Sequence, residues 1–305
     1  MFKPRLRKPR FRRCADSAPL SITERDVLIL SLVNRYSLIA SDHLRRLIDG
    51  SRQHLIRRLG RLYHAGYLDR PRAQLFLSRR CSHSFAYVLA KAGRDALHER
   101  GLRTQSAAPR FKSVTSCLSL AHSLRVADVV SYFEATAMQR GWRFLPHHHW
   151  FGEENASSRL SQFRWKVRLR ERGRRIDTWL IPDAAFALKI GLRAVSYFLV
   201  EYDRGTMPVH RSSLNQSSFH RKLLAYIESR RSGVLWKQFG VPDFRVLVIT
   251  ESRKRMKNLQ AAAASLFQGG ESGMFLFASL DDSNPGLFLD RDWEKCSGAK
   301  VPLLK

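Results

Sequence analysis

From residue 22 onward the apolar positions fall at helical spacing, with Ile22, Val27, Leu28, Leu30, Leu32 and Val33 following one another around Thr23, Glu24 and Asp26. Residues three and four apart share one face of a helix, threonine is a good N-cap, and acids are favoured in a first turn. A first helix is expected here. Ser41 is the expected N-cap of a second helix, "SDHLRRLI", which Gly50 ends. A third, "RQHLIRRLGRLYHAG", carries Leu55, Ile56, Leu59, Leu62 and Tyr63 on one face and closes at Gly66, a C′ position where glycine accepts a positive φ. Next, "YLDRPRAQLFLSRR" and "SFAYVLAKAGRDALHERG" read as two strands around a basic turn, with a helix from about Lys91 to Arg100.

"RTQSAAPRFKS" lacks periodicity and contains Pro109, so it reads as a linker. Beyond it, "CLSLAHSLRVADVVSYFEATAMQRG" places Leu120, Leu124, Ala127, Val130 and Ala135 at helical spacing and ends at Gly141. "WRFLPHHHWF" is short and extended, and a stretch rich in Arg and Trp follows. "RIDTWLIPDAAFAL" and "VSYFLVEYD" read as an antiparallel pair joined through Gly191. A helix over "LNQSSFHRKLLAYIES", a strand "FRVLVIT", a helix "SRKRMKNLQAAAASLF" and a strand "MFLFAS" complete the order α-β-β-β-α-β-α-β. The expected organisation is a flexible basic arm over 1–19, a folded unit over 20–103, a linker over 104–114, a second unit over 115–290 and a tail over 291–305.

Three short helices followed by two strands make the first unit a winged helix in expectation, with the third helix placed for a DNA major groove. Its outer face carries Arg52, Gln53, Arg57, Arg58 and Arg61, and Arg79 and Arg80 fall near the wing tip. A solvated Arg-rich helix in a protein-contact module stays open as an alternative, because fold alone does not fix function.

Charge sharpens this picture. The chain has 54 Lys and Arg against 26 Asp and Glu, a formal charge of +28, so a polyanion is the expected partner. With 44% hydrophobic residues and six Trp, that charge overlies folded domains rather than a disordered tail. Basic residues recur along the whole length, which favours nucleic acid over an anionic membrane, and no apolar run reaches the roughly 18 to 20 residues that cross a bilayer. "MFKPRLRKPRFRR" lacks the apolar core of a secretory signal. Cys14, Cys81, Cys117 and Cys296 form no C-x-x-C pair, so a reducing cytoplasm is the expected compartment. Neighbours on a strand point to opposite faces, so His147, His148 and His149 are not expected to chelate one ion. Without a Gly-rich phosphate loop, no ATPase is indicated.

Asp183 at the start of one strand and Glu201 at the end of the next resemble the metal-binding carboxylates of the PD-(D/E)XK nuclease fold, through Pro182-Asp183 and Glu201-Tyr202-Asp203. "HSLRVAD" (His122 to Asp128), "IPDA", "EYDRGT" and "RKLLAY" (Arg221 to Tyr226) more closely resemble the replication-relaxation proteins of plasmids and other mobile elements, over about residues 20 to 290. The resemblance implies an α+β winged helix followed by an α/β PD-(D/E)XK nuclease-like domain, a mixed sheet flanked by helices. It also implies Mg²⁺ held by Asp183, Glu201 and the carbonyl of Tyr202, with a lysine steadying the developing negative charge.

Asp203 stands where that lysine belongs. Lys222 and Tyr226, one turn apart on the following helix, are the candidates to complete the site, and His122 and Asp128 are candidates from the unit's first helix. Their ordinary readings are a hydrogen-bonded His122, an Asp203 paired with Arg204 and a solvated Lys222. The function implied is a double-stranded-DNA-binding protein of a mobile element, acting in replication, relaxation or mobilisation, and the departure at Asp203 favours binding without efficient hydrolysis. An active Mg²⁺-dependent endonuclease stays open, as does a transcriptional regulator whose second domain mediates homo-oligomerisation.

Overall fold

The computed structural model describes residues 9–14, 20–77, 84–104, 117–150, 163–171, 173–192, 195–267, 273–281 and 288–304. Its contacts divide the chain into two units, Met1–Ser131 and Tyr132–Lys305.

In the first unit, α1 (Glu24–Tyr36) begins at Thr23, whose side chain accepts from the Asp26 amide while the Asp26 carboxylate accepts from the Thr23 amide at 2.8 Å. This reciprocal cap satisfies two of the amides a helix start leaves open. Ile29, Leu30, Leu32 and Val33 face the core, but Leu28, expected beside them, is exposed. After β1 (Ile39–Ala40), α2 (Ser41–Leu47) is capped at Ala40 and not at Ser41, because the His43 imidazole accepts the Ala40 amide at 3.3 Å. Ser41 is instead the first helical residue and bonds the Ser84 hydroxyl at 3.0 Å.

Helix α3 (Arg52–His64) buries Leu55, Leu59, Leu62 and Tyr63, and Gly66 follows it at φ +84°. Strand β2 (Leu68–Asp69) then stops early. Pro71 has no amide hydrogen to give a ladder, and a 3-10 turn at Arg72–Phe76 replaces the expected longer strand. β3 (Ala86–Leu89) sits between β1 and β2 in an antiparallel sheet, and α4 (Lys91–His98) follows. The Gln74 side chain accepts from the Ala86 amide at 2.9 Å and donates to the Ala86 carbonyl at 3.1 Å, supplying the bonds that β2 does not reach.

Two cationic stretches are structural. Residues 9–14, expected within a flexible arm, are docked: Arg13 donates to the carbonyls of Tyr63 and Leu68, each at 3.2 Å, and Phe11 meets the Phe85 ring edge-on at 5.6 Å. The Arg70 guanidinium lies over the rings of Tyr63 and Phe85 at 4.2 and 4.4 Å and donates to the Arg10 carbonyl at 2.7 Å.

Helix α5 (Cys117–Gln139) contains the division between the units. In the first unit its Leu120 packs with Leu38 and Ala86. In the second its Phe133 packs on Phe186 and Phe288, with ring centroids 4.9 and 5.3 Å away.

The second unit is built on β4 (Arg143–Pro146), β7 (Ala184–Lys189), β8 (Ser196–Asp203), β9 (Arg245–Thr250), β10 (Phe275–Ser279), β11 (Asp292–Glu294) and β12 (Lys300–Pro302). They form one mixed seven-stranded sheet in the order β12-β11-β10-β9-β8-β7-β4. Its middle strands β8, β9 and β10 are parallel and buried throughout most of their length, as continuous apolar runs require when both faces are covered. The expected antiparallel pair is present as β7 and β8. "RIDTWL", read as continuous with β7, is instead a separate strand, β6 (Arg174–Leu180), paired with β5 (Trp165–Glu171) in a ribbon of its own. Helices α6 (Phe219–Ser232), α7 (Val234–Phe239) and α8 (Arg253–Ala264) complete the unit. Within the expected tail, residues 291–304 are folded: β11 and β12 close the sheet edge, with Trp293 and Leu303 fully buried. The chain is thus a mixed α and β protein, and among its described residues no helix is long and apolar enough to cross a membrane.

Candidate functional site

The outer face of α3 follows from its buried one. With Leu55, Leu59 and Leu62 inward, Arg52, Gln53, Arg57 and Arg61 are exposed. Ile56, expected in the core, is 40% exposed on the same side. Arg58 differs from its neighbours. Its guanidinium turns back to the fully buried Asp26 carboxylate, donating through Nε at 2.6 Å, and to the Ser21 carbonyl at 2.8 Å. Burial pushes the Asp26 carboxyl up, but Arg58 and Thr23 outweigh it and hold the group below the usual carboxylate range. Arg79 and Arg80 lie outside the described residues.

Asp128, a candidate for the second unit's cleft, is engaged within the first. It pairs with His43 at 3.4 Å and Arg46 at 2.7 Å, which hold its carboxyl below the usual range against the opposing effect of burial. His122 lies half-buried on the same helix, also in the first unit.

In the second unit, the β7–β8 register pairs Ala184 with Val200, and its continuation sets Asp183 opposite Glu201. The Asp183 amide donates to the Val200 carbonyl at 3.0 Å, and its carboxylate accepts from the Tyr202 amide at 2.8 Å. Strand alternation turns Glu201 toward α6, where Lys222 and Tyr226, at i and i+4, share the facing side. The Lys222 ammonium donates to one Glu201 oxygen and the Tyr226 hydroxyl to the other. Glu201 is 2% exposed, and burial pushes its carboxyl up to about 7, Lys222 opposing and Asp183 adding to the shift. Burial also works against the Lys222 ammonium, but Glu201 and Asp183 outweigh it and raise its pKa. Sequence-predicted Asp183, Glu201, Lys222 and Tyr226 therefore converge.

Asp203 turns to a different partner. It accepts from Arg255 Nε on α8 at 2.8 Å and from the Gly205 amide at 2.6 Å, so its charge is balanced by Arg255. Arg255 also donates to the Met207 carbonyl at 2.5 Å, pinning the turn that follows β8. The Tyr202 hydroxyl donates to Glu251 at 3.2 Å. Neither Arg255 nor Glu251 was legible as part of this neighbourhood: each lies about fifty positions away, at 52 and 49 residues, with no local pattern pointing to β8.

Chemically, Asp183 and Glu201 are two facing acids, and the Glu201 carboxyl is met by the Lys222 ammonium on one oxygen and hydrogen-bonded by the Tyr226 phenol on the other. Mg²⁺ asks for carboxylate lone pairs, and both Glu201 oxygens are engaged by Lys222 and Tyr226. The donor set as arranged fits the lysine and does not fit a metal beside it. Among the described residues no group of three or more His, Cys, Asp and Glu side chains is placed to hold a metal ion. His147, His148 and His149 form a 3-10 turn after Pro146 and not the expected strand. Desolvation pushes the His147 imidazole down to about 4, which keeps it neutral.

A family model described as replication-relaxation matches residues 30–243. No curated protein and no solved structure matches the chain.

Proposed function

Since the chain belongs to the replication-relaxation family, we propose that it binds duplex DNA in the replication or relaxation of a plasmid or other mobile element. In this reading the first unit is a winged helix that sets Arg52, Gln53, Arg57 and Arg61 into the major groove. The second is a PD-(D/E)XK-like scaffold that holds DNA without hydrolysing it. The observation that supports the non-hydrolytic part is the double engagement of Glu201: both oxygens of a carboxylate that the resemblance assigns to the metal are taken by Lys222 and Tyr226. Asp203, which the resemblance puts in the position of a lysine, is likewise engaged, by Arg255. The formal charge of +28 supports a polyanionic partner.

Incubation of the protein with supercoiled plasmid, in Mg²⁺ or in EDTA, tests this. Retarded plasmid with no nicked or linear product in either condition is expected. Nicking that needs Mg²⁺ and disappears in Glu201→Gln would sink the binding-only reading.

That outcome would establish a second reading, a Mg²⁺-dependent endonuclease. One observation favours it: Lys222 lies close to both Asp183 and Glu201, so the two acids and one lysine of such a site are gathered together. In that case Lys222 has to release Glu201 before a cation can enter, and Lys222→Ala slows cleavage.

A further inference from the structure

The β5–β6 ribbon has two unlike faces. Trp165, Val167 and Leu169 point into the core shared with α6, and Trp165 Nε1 donates to the Ser229 hydroxyl at 2.7 Å. The alternate residues Lys166, Arg168 and Arg170 are exposed. Register sets Lys166 opposite Trp179, Arg168 opposite Asp177 and Arg170 opposite Arg175, so all six share the outward face. Arg164 joins them, its guanidinium 4.6 Å from the Trp179 ring centre.

Two properties of this face narrow its partner. It carries five cations and one carboxylate, and that carboxylate, Asp177, is bracketed by Lys166 at 3.1 Å and Arg168 at 2.9 Å, which lines the cations up along the ribbon. Asp177 offsets one of the five positive charges; an apolar protein surface would leave the excess without counter-charge, whereas a phosphate chain supplies it. Trp179 is 54% exposed in their midst. An indole offers a flat face on which an unpaired base stacks, and within a duplex the base faces are already covered by their neighbours.

We propose that the outward face of the β5–β6 ribbon binds single-stranded DNA, Trp179 stacking on a base while Lys166, Arg168, Arg170 and Arg175 follow the phosphates. The site is on the second unit, uses none of the α3 residues, and does not depend on whether the Glu201 site hydrolyses anything.

The test is fluorescence anisotropy of the full chain with a labelled oligothymidine and, separately, a labelled duplex of equal length. Trp179→Ala weakens oligothymidine binding about tenfold, the loss of one stacked base, and leaves duplex affinity unchanged. Trp179→Phe retains most of the affinity. Arg170→Ala lowers the salt dependence of oligothymidine binding by about 0.7 in log–log slope. Circular dichroism confirms that each variant is folded, as expected for exposed positions. Unchanged oligothymidine binding in Trp179→Ala overturns the proposal, and so does an equal loss for single strand and duplex. If the same variant alters only the sedimentation of the protein, the face is a self-association surface and the proposal is likewise overturned. Failure of the α3 reading is seen separately, as duplex binding that survives Arg57→Ala with Arg61→Ala.

Discussion

Arg58 on α3 and Asp26 on α1 form an ion pair whose carboxylate is completely buried. The same carboxylate also caps α1 through the Thr23 amide, so one acid fixes both the start of α1 and the position of α3. A basic residue on the helix proposed to meet DNA is thereby structural.

Removing one partner of such a pair leaves a buried charge uncompensated and costs about 3 to 5 kcal/mol. Arg58→Ala is expected to lower the free energy of unfolding by that amount, while Arg57→Ala changes it by less than about 0.5 kcal/mol. Urea denaturation followed by circular dichroism separates the two. Because the folded Asp26 carboxyl lies below its usual value, the stability it contributes is present above that value and is lost as pH falls below it.

Exposed Arg57 and Arg61 are the informative positions for DNA. Their double alanine variant is expected to keep its melting temperature and lose duplex affinity, with the log affinity against log salt slope reduced by roughly 0.9 for each phosphate contact removed. Anisotropy titrations at several salt concentrations measure both quantities.

Glu201 makes the second unit sensitive to pH in the opposite sense to Asp26. Its folded pKa is raised from 4.5 to about 7, so folding favours the protonated acid. The contribution of this group is fullest below its unfolded value and declines as pH rises through about 7. Glu201→Gln mimics the protonated form. Relative to the native chain it is expected to gain stability as pH rises from acid to mildly alkaline. Paired denaturation curves at pH 4.5 and pH 8 check this, and a constant difference would contradict it.

Deleting residues 1–13 removes the Arg13 bonds to Tyr63 and Leu68 and the Arg10 carbonyl that Arg70 donates to. Charge-assisted bonds of this kind contribute roughly 1.5 to 3 kcal/mol each where well formed. A clear fall in melting temperature is expected, and an unchanged one would show that the docked segment adds nothing to the fold.

Gly93 lies where α4 crosses the chain after α3. A Cβ there would fall 2.2 Å from the Tyr67 carbonyl oxygen and 2.7 Å from a Leu89 methyl. The carbonyl is backbone and cannot swing away, so Gly93→Ala is expected to destabilise the first unit by about 1 to 3 kcal/mol, read in thermal unfolding.

What the sequence discloses here is whatever lies within a few residues. Thr23 and Asp26 are three apart, and their cap was readable; the Asp26 bond to Arg58 spans 32 positions and was not. Lys222 and Tyr226 share a helix face by spacing, yet their meeting on Glu201 depends on how α6 docks against the sheet. The ribbon carries a local signal of its own: Trp165, Val167 and Leu169 alternate with Lys166, Arg168 and Arg170 at a period of two, inside the stretch rich in Arg and Trp. Strands β11 and β12, three residues each, are too short to display any period.

The Gln74 side chain, bonded to both polar groups of Ala86, has an effect on how copies of this protein behave toward one another. An open strand border with free amides and carbonyls is a template on which another chain can add, the usual first step of aggregation. Beyond Asp69, β2 no longer covers β3, and the neighbouring Pro71 cannot. Gln74, itself buried, seals that stretch from within the same chain, so a highly charged unit with short strands offers no edge there for a second molecule to extend.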